Sequence, residues 1–235
     1  MTTGRLLGIG VGPGDPELMT LKAVRCLREA PVVSYVSAHG QPSMARRIAA
    51  VHLPGTQREI NLALPMEPLP ELAQAAYDEG ASRIGAELEQ GRDVAVLCEG
   101  DPLFYGSFNQ LLARLAGKYR TEIVPGVVSF TAAAAAARQP LIARSESFVV
   151  VPATLPAEQL RARLRQIDAA AILKLGRHLT KVRRVLRELD LIDRAIYVER
   201  ASSEQERVLQ LTDFADHEAP YFSLILLPRT PGVDR

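Results

Sequence analysis

The stretch Arg5-Leu6-Leu7-Gly8-Ile9-Gly10-Val11-Gly12-Pro13-Gly14-Asp15-Pro16-Glu17-Leu18-Met19-Thr20 combines an apolar segment, a glycine-rich loop and a helix signal. The apolar residues of Leu6–Val11 predict a short buried strand. Thr20 is a preferred N-cap residue, and we expect it to begin a helix that runs to about Glu29. Strand, loop and helix in this order are typical of an α/β fold.

The loop between this strand and this helix matches neither common phosphate-binding pattern. Counted from Gly8 and Gly10, the third glycine of the dinucleotide pattern would fall on Pro13. A P-loop ends in Gly-Lys-Ser/Thr, whereas this loop ends in Asp15, whose carboxylate would repel a pyrophosphate. The second predicted strand, 31–36, ends without the acidic residue that holds a ribose. The glycines still permit close backbone approach, so the loop favours a nucleoside-like ligand without phosphates, and a cationic one suits it.

The net charge of the chain argues against nucleic acid and acidic membranes as partners, while the excess of arginine over lysine has two possible explanations. The 235 residues carry a formal net charge of +1, with 24 Arg against 4 Lys. This balance gives no bulk attraction to nucleic acid or to an acidic membrane surface, and the few aromatic residues argue against a base-stacking module. The arginine excess reflects either a GC-rich genome or recognition of several carboxylates by forked guanidinium groups.

The sequence contains no metal, disulfide or targeting pattern. Cys26 and Cys98 fall in a predicted helix and a predicted strand, where we expect buried apolar residues. The histidines lack the spacing of metal ligands; they are His39, His52, His178 and His217. The start is polar and glycines break its apolar run, so we expect no signal peptide. No apolar run reaches about 20 residues. We therefore expect a soluble cytoplasmic protein without a metal or a membrane partner.

The first half of the chain alternates predicted strands and helices. The strands are expected at Leu6–Val11, Val32–Val36, Glu59–Leu64, Asp93–Cys98 and Thr121–Val124. The helices between them are expected at Thr20–Glu29, Ser43–Val51, Leu69–Gln90 and Ser107–Ala116. This alternation predicts a mostly parallel sheet covered by helices on both faces.

The second half has a different pattern. Helices are expected at Ser129–Arg138, Pro156–Ile167 and His178–Glu188, and strands at Ser147–Val151, Ala170–Leu175, Ala195–Glu199, Glu206–Leu211 and Phe222–Leu227. The last two strands have no helix between them, which favours their antiparallel pairing and a mixed sheet. The domain boundary is predicted near Pro125-Gly126, giving α/β domains over 1–125 and 126–235. We expect a disordered tail from Arg229.

Three loops rich in glycine and proline each follow a predicted strand of the first half. They are Gly12–Asp15, Glu99–Phe108 and Val124–Ser129. The carboxyl ends of parallel strands open at the same sheet edge, so we expect the loops to lie side by side and to outline a pocket. Gly-Asp-Pro and Pro-Gly are also ordinary turn formers, and any one loop alone favours that interpretation. The Ala132–Ala137 run is compatible with plain helix propensity, close helix contact or space beside a flat ligand.

Other function classes can be weighed on the same residues. Ser107 and Ser129 do not lie in a Gly-x-Ser-x-Gly elbow, which argues against an acyl-enzyme hydrolase. A nucleotide-dependent oxidoreductase should bind NAD, and the missing acidic residue after the second strand argues against it. A non-catalytic binding module should show no turnover with any ligand.

These motifs, in this order, resemble the tetrapyrrole methylase family of S-adenosylmethionine-dependent enzymes over nearly the whole chain. The segments that carry the resemblance are Gly8–Asp15, Glu99–Pro102, Val124–Ser129, Lys174–Arg177 and Tyr197–Ser202. The resemblance implies two α/β domains with S-adenosylmethionine, the methyl donor, in a cleft between them. It further implies a small-molecule tetrapyrrole substrate and a homodimer.

The resemblance also implies a donor site with residues from both halves of the chain. These residues are Pro13, Gly100, Asp101, Phe104, Val128, Ser129, Leu175 and Ala201. Pro13 and Gly100 would act by backbone shape, and Asp101 by hydrogen bonding. Leu175 would pack on the adenosine. Val128 departs from the Ser or Thr usual in the family, so the neighbouring Ser129 is expected to supply that side-chain hydrogen bond.

Within the family, the Glu99–Phe108 string resembles the branch that methylates precorrin-2 at ring carbon 20, on the way to cobalamin. Precorrin-2 is a reduced macrocycle with several carboxylates and a nucleophilic meso carbon, so catalysis needs mainly alignment and one weak base. Asp15 is the candidate catalytic group, as proton acceptor or as partner of a pyrrole N–H; capping the next helix is its alternative role. The cobalt-bearing analogues (cobalt-precorrin-2 or cobalt-factor II) and other tetrapyrroles are alternative substrates.

Overall fold

The computed structural model describes residues 2–38, 40–65 and 70–229. The chain divides into two compact units, Met1–Val128 and Ser129–Arg235. Each unit contains one five-stranded sheet with helices, which confirms the predicted α/β fold. This division falls after Val128, and the domain boundary near Pro125-Gly126 stays a prediction.

The first unit contains a sheet in which every strand pairing is parallel. Its strands are β1 (Leu6–Gly10), β2 (Val32–Ala38), β3 (Arg58–Leu64), β4 (Val94–Cys98) and β5 (Thr121–Val124). Their order across the sheet is β3-β2-β4-β1-β5. All residues of β1 and β4 are buried, as expected for strands covered on both faces. The prediction of a mostly parallel sheet is confirmed.

Helices cover both faces of this sheet. Those described are α1 (Leu21–Glu29), α2 (Met44–Ala49), α3 (Pro70–Glu89) and α4 (Phe108–Leu115). On one face, Leu27 of α1 belongs to the same apolar cluster as Ile9 of β1. On the other, Phe108 of α4 belongs to the same cluster as Val96 of β4. The start predicted for α3, Leu69, lies outside the described residues.

Side-chain caps determine where α1 and α2 begin. The Thr20 Oγ1 accepts a hydrogen bond from the N–H of Ala23 at 3.1 Å, and the Ser43 Oγ accepts one from Arg46 at 3.4 Å. Such caps satisfy N–H groups that have no partner in the first turn and contribute about 1 kcal/mol each. Both positions agree with the helix starts predicted from the sequence.

The second unit contains a mixed sheet, which confirms the prediction for this half. Its strands are β6 (Phe148–Pro152), β7 (Ala169–Leu173), β8 (Ile196–Glu199), β9 (Arg207–Gln210) and β10 (Ser223–Leu227). Their order is β6-β7-β10-β8-β9, with only the β6–β7 pairing parallel among these strands. Because β7 and β8 are both antiparallel to β10, they run in the same direction, and their carboxyl ends lie at one sheet edge.

The pairing predicted between the last two strands is wrong. Strand β9 pairs with β8, and β10 lies between β7 and β8. The reason is burial: all five residues of β10 are buried, whereas β9 begins and ends with exposed residues. A strand that is apolar on both faces is stable in the middle of a sheet, and a half-exposed strand suits an edge.

The helices described in the second unit are α5 (Ser129–Ala137), α6 (Ala157–Leu164) and α7 (Leu179–Glu188). Helices α6 and α7 pack on one face of the sheet, and α5 packs on the other. In α5, Ala132, Ala133 and Ala134 are buried in the same cluster as Ala171 and Leu226. Close contact between helix and sheet therefore accounts for this part of the alanine run.

Two further expectations concern the tail and the membrane. The tail predicted to be disordered lies outside the described residues, except for Arg229. That residue forms an ion pair with Glu146 at 3.0 Å, and its N–H donates to the carbonyl of Leu141. Over the described ranges, no helix is both long and apolar enough to cross a membrane.

Candidate functional site

The loops after β1 and β4 are joined by a pair of backbone hydrogen bonds. The N–H of Gly100 donates to the carbonyl of Gly12 at 2.8 Å, and the N–H of Gly12 donates to the carbonyl of Gly100 at 3.3 Å. Gly12 has φ +77° and Gly100 has φ +64°. Glycine is favoured at both positions because side chains rarely tolerate this left-handed backbone. The two strand-end loops therefore lie side by side, as predicted.

The loop after β5 packs against the same two loops through glycine backbone. A Cβ atom placed on Gly10 would be 2.6 Å from the nitrogen of Gly126 and 2.7 Å from the oxygen of Gly100. A Cβ on Gly100 would be 3.9 Å from the Cα of Val128. Three strand ends thus meet at one edge of the first unit, with backbone atoms in direct contact.

Asp101 holds two of these loops together. Its Oδ2 accepts a hydrogen bond from the N–H of Gly126 at 3.0 Å, and its Oδ1 accepts one from the N–H of Leu103 at 2.9 Å. Hydrogen bonds to a carboxylate are stronger than those between neutral groups. Both carboxylate oxygens of Asp101 therefore hold loop backbone in place.

The turn after Asp101 presents aromatic and apolar side chains. The rings of Phe104 and Tyr105 meet edge to face, with 5.0 Å between their centroids. Tyr105 has φ +56°, which is uncommon for a residue with a side chain. The side chains of Leu103 and Tyr105 are about half exposed. The turn thus offers apolar surface next to the glycine-lined edge.

Asp15 ends the loop after β1 and caps the short 3-10 helix Pro16–Leu18. Its Oδ1 accepts a hydrogen bond from the N–H of Glu17 at 2.8 Å. In dinucleotide-binding folds, the helix N-terminus after the first strand receives the pyrophosphate. Here the loop after β1 leads first into the short 3-10 helix, and a carboxylate accepts a hydrogen bond from its backbone. The capping role weighed for Asp15 is present, and its catalytic role stays a prediction.

Glu99 lies at the same strand-end edge and is not among the residues predicted for the site. It follows β4, is half-buried, and its Oε1 accepts a hydrogen bond from the N–H of Ala45 in α2 at 3.0 Å. Burial raises the pKa of the Glu99 carboxyl above its usual value, against a smaller lowering by backbone N–H groups. Burial likewise raises the pKa of the neighbouring Cys98 thiol to about 12. The Glu-Gly-Asp-Pro string was the signal available, but it does not reveal the contact with α2.

The site residues predicted from the second half lie in the second unit. Ser129 is the first residue of α5. Leu175 and Ala201 follow β7 and β8 at one sheet edge, each directly after a residue with left-handed backbone, Lys174 (φ +59°) and Arg200 (φ +50°). The Leu175 side chain is fully buried in the apolar core of this unit. Its predicted packing on adenosine stays a prediction.

The predicted site residues of the first unit are brought together more directly. Pro13, Gly100, Asp101, Phe104 and Val128 all belong to the three loops that meet at the strand ends. In the part of the chain that the structure describes, no group of three His, Cys, Asp or Glu residues is arranged to hold a metal ion. A groove of about 450 Å³ lies elsewhere, along α5 and the loop that follows it, within the second unit.

The chain consists of two α/β units, and the first has glycine-rich loops at its strand ends. The family model "Tetrapyrrole (Corrin/Porphyrin) Methylases" matches residues 5–214. The chain belongs to this family. The resemblance noted from the loop motifs is thereby confirmed.

Particular relatives agree with this membership. The chain is 44% identical over 96% of its length to the cobalamin biosynthesis protein CobIJ of Mycobacterium tuberculosis, of which it spans about half, 46%. It is 39% identical to the precorrin-2 C(20)-methyltransferase of Sinorhizobium sp., with 96% of this chain and 95% of that protein covered. Among solved structures, it is similar to the uroporphyrin-III C-methyl transferase from Thermus thermophilus complexed with S-adenyl homocysteine. That similarity has a TM-score of 0.69 and 27% identity, covering 95% of this chain and 96% of that chain.

Proposed function

We propose that this chain transfers a methyl group from S-adenosylmethionine to carbon 20 of precorrin-2, with release of S-adenosylhomocysteine. The observation that carries the proposal is the 39% identity, over nearly the full length of both chains, to a precorrin-2 C(20)-methyltransferase. The 44% identity to CobIJ adds support from cobalamin biosynthesis.

The strand-end loops of the first unit fit a donor without phosphates. In the loop after β1, the Asp15 carboxylate accepts a hydrogen bond from the N–H of Glu17, and its charge would repel a phosphate. The glycine contacts leave backbone atoms, rather than side chains, as the wall of the site. When bound, S-adenosylmethionine supplies an electrophilic methyl group on a sulfonium, which an acidic loop tolerates. We assign Pro13 and Gly100 to shaping this wall.

Other residues have separate roles in the proposal. Asp101 acts through the loops that it joins, since its oxygens accept hydrogen bonds from Gly126 and Leu103. Phe104 contributes apolar contact beside these loops. We propose four further residues as contacts of the methyl donor: Val128, Ser129, Leu175 and Ala201. Because the Leu175 side chain is buried in the core, its contact would come from the backbone.

The substrate is proposed to lie above the strand ends of the first unit, in a trough bordered by arginines. Asp15 would hold a pyrrole N–H of the macrocycle, which orients carbon 20 toward the methyl group. Because the meso carbon is itself nucleophilic, most of the rate enhancement would come from proximity and orientation. Arginine side chains around the rim would pair with the substrate carboxylates.

The proposal includes a homodimer in the cytoplasm that needs no resident metal. The homodimer rests on the family resemblance. The expectation that no resident metal is needed rests on the spacing of the histidines in the sequence. Light scattering after gel filtration tests the dimer. Metal analysis of the active protein tests whether a resident metal is needed.

The direct experiment is incubation with the donor and either metal-free precorrin-2 or its cobalt-bearing analogue, followed by mass and absorbance. The proposal expects one added methyl group on the metal-free substrate. Preference for the cobalt-bearing substrate would assign the same reaction to the alternative substrate. Tight NAD binding, or no turnover with any tetrapyrrole, would overturn the proposal in favour of an oxidoreductase or a binding module.

A further inference from the structure

Glu99 occupies a distinctive position at the strand ends of the first unit. It directly follows β4, the middle strand of the sheet, and directly precedes Gly100, which pairs with Gly12. Its carboxylate is fixed through Oε1 by the N–H of Ala45 at 3.0 Å. The residue is half-buried, and burial is the largest influence on its carboxyl, so the group is partly withdrawn from water. A backbone hydrogen bond therefore fixes this carboxylate at the strand-end edge, beside the loop that contains Gly100.

The charged groups around Glu99 do not neutralise it. Within the described ranges, no ion pair involves its carboxylate. On α2, the guanidinium of Arg46 is engaged with both oxygens of Glu59, while Arg47 is exposed. On β4 and its loop, the titratable neighbours are the Cys98 thiol and the Asp101 carboxyl. Burial therefore dominates, and it raises the pKa of the Glu99 carboxyl.

The proposed reaction requires a proton acceptor. As the bond between carbon 20 and the methyl carbon forms, the sulfur–methyl bond breaks and its electron pair stays on sulfur. The electron pair of the new bond comes from the macrocycle, which becomes cationic. The bond between carbon 20 and its hydrogen must then break, its electrons return to the macrocycle and the proton leaves. A carboxylate with a raised pKa is a better acceptor than an ordinary one.

We propose that the carboxylate of Glu99 accepts the proton released from carbon 20 after methyl transfer. The inference rests on the proposed function and deepens it by assigning the base. Asp15, which caps the helix that begins at Pro16, keeps the role of holding the substrate. The two acids thus have different tasks: Asp15 orients the substrate, and Glu99 takes the proton.

The test uses Glu99→Gln, in which the amide oxygen can still accept the hydrogen bond from Ala45. General-base catalysis contributes about 10²–10⁴-fold, so kcat should fall by at least about 100-fold, with donor affinity changed by less than about twofold. A carboxyl whose pKa is raised on folding lowers the free energy of unfolding at neutral pH. The neutral amide of Glu99→Gln avoids this cost, so the variant should remain folded. Glu59→Gln is the matched control, since Glu59 is a glutamate next to α2 that pairs with Arg46.

A substrate deuterated at carbon 20 separates the two steps. In a single turnover, Glu99→Gln should form S-adenosylhomocysteine but retain deuterium in the methylated product, whereas the wild type loses it. Glu99→Asp should recover part of kcat and move the acid limb of the pH profile. Unchanged kcat and deuterium loss in Glu99→Gln would overturn the role of Glu99. Absence of any methylation by the wild type would instead overturn the proposed function itself.

Discussion

The Oδ2 atom of Asp101 accepts a hydrogen bond from the backbone N–H of Gly126 at 3.0 Å. A carboxylate in the loop after β4 thereby fixes the loop after β5, and its Oδ1 fixes its own turn through Leu103. Because β1 lies between β4 and β5 in the sheet, this one side chain bridges the loops on either side of the end of β1. The glycine-lined edge depends on it.

Asp101→Asn should therefore weaken the edge without removing it. The amide can accept only through its oxygen, so one of the two N–H partners loses its acceptor. We expect a loss of about 1–2 kcal/mol in the free energy of unfolding and weaker donor binding, measured by urea titration and calorimetry. Asp78→Asn is the control, because Asp78 is a largely exposed partner of Arg114 and should change stability by less than about 0.5 kcal/mol. Equal effects of the two variants would contradict this role.

Gly10→Ala should disrupt the meeting of the three loops. The added Cβ would lie 2.6 Å from the nitrogen of Gly126, a distance at which backbone must move. Overpacking of this kind costs about 1–3 kcal/mol, and donor affinity should fall by more than about tenfold. Gly117→Ala tests the same change where no atom lies within 4 Å, and it should leave both quantities near wild type. Normal donor affinity in Gly10→Ala would show that the loop contact is dispensable.

Asp15→Asn separates capping from a role in the reaction. Asparagine caps helices about as well as aspartate, so stability should change little. If Asp15 holds a pyrrole N–H, turnover should fall by about tenfold or more while donor affinity stays within about twofold, consistent with loss of a hydrogen bond to a charged group. Steady-state kinetics and calorimetry measure both. Unchanged turnover would leave Asp15 with its capping role alone.

Glu59 should make a small, pH-dependent contribution to stability. Hydrogen bonds from the Arg46 guanidinium and from Tyr35 lower the pKa of the Glu59 carboxyl below its usual value of 4.5. A lowered pKa stabilises the fold above about pH 4.5, and this contribution is lost as the pH falls through the folded-state pKa. The side chain is 37% exposed, so screening limits the effect to about 0.5 kcal/mol.

The measurement for Glu59 compares free energies of unfolding at about pH 7 and pH 3. Glu59→Gln should be less stable than wild type at the higher pH and equal to it at the lower one. Glu79→Gln is the control, since the Glu79 side chain is 74% exposed and its contact with Arg83 is 3.9 Å long. A difference that persists at low pH would mean that the Glu59 side chain acts through packing rather than charge.

Local patterns predicted the sheets and loops because they depend on neighbouring residues. The apolar runs over β1 and β4 identified buried central strands, and parallel pairing then placed the loops that follow them at one edge. The partner of β9 depends instead on which strand is buried on both faces. The apolar run Leu224–Leu227 is the sequence signal for such a strand, and all five residues of β10 are buried. The absence of a helix between two strands does not determine which strands pair.

The parts of the site that escaped prediction depend on contacts between distant segments. Glu99 is held by Ala45, which belongs to a different helix, and no spacing rule connects the two. Leu175 follows a strand at the expected edge, yet its side chain is fully buried among core residues such as Leu179 and Val182. Sequence motifs located these residues along the chain, whereas tertiary packing determines which atoms they present.

The central claim is methyl transfer to carbon 20 of precorrin-2, and an isotope label tests it most directly. The wild-type protein would be incubated with metal-free precorrin-2 and S-adenosylmethionine carrying carbon-13 in its methyl group, and the product would be read by carbon-13 NMR. The account predicts one labelled methyl group on a meso carbon, position 20, with one equivalent of S-adenosylhomocysteine. A label on a pyrrole ring carbon, or no labelled product, would contradict it.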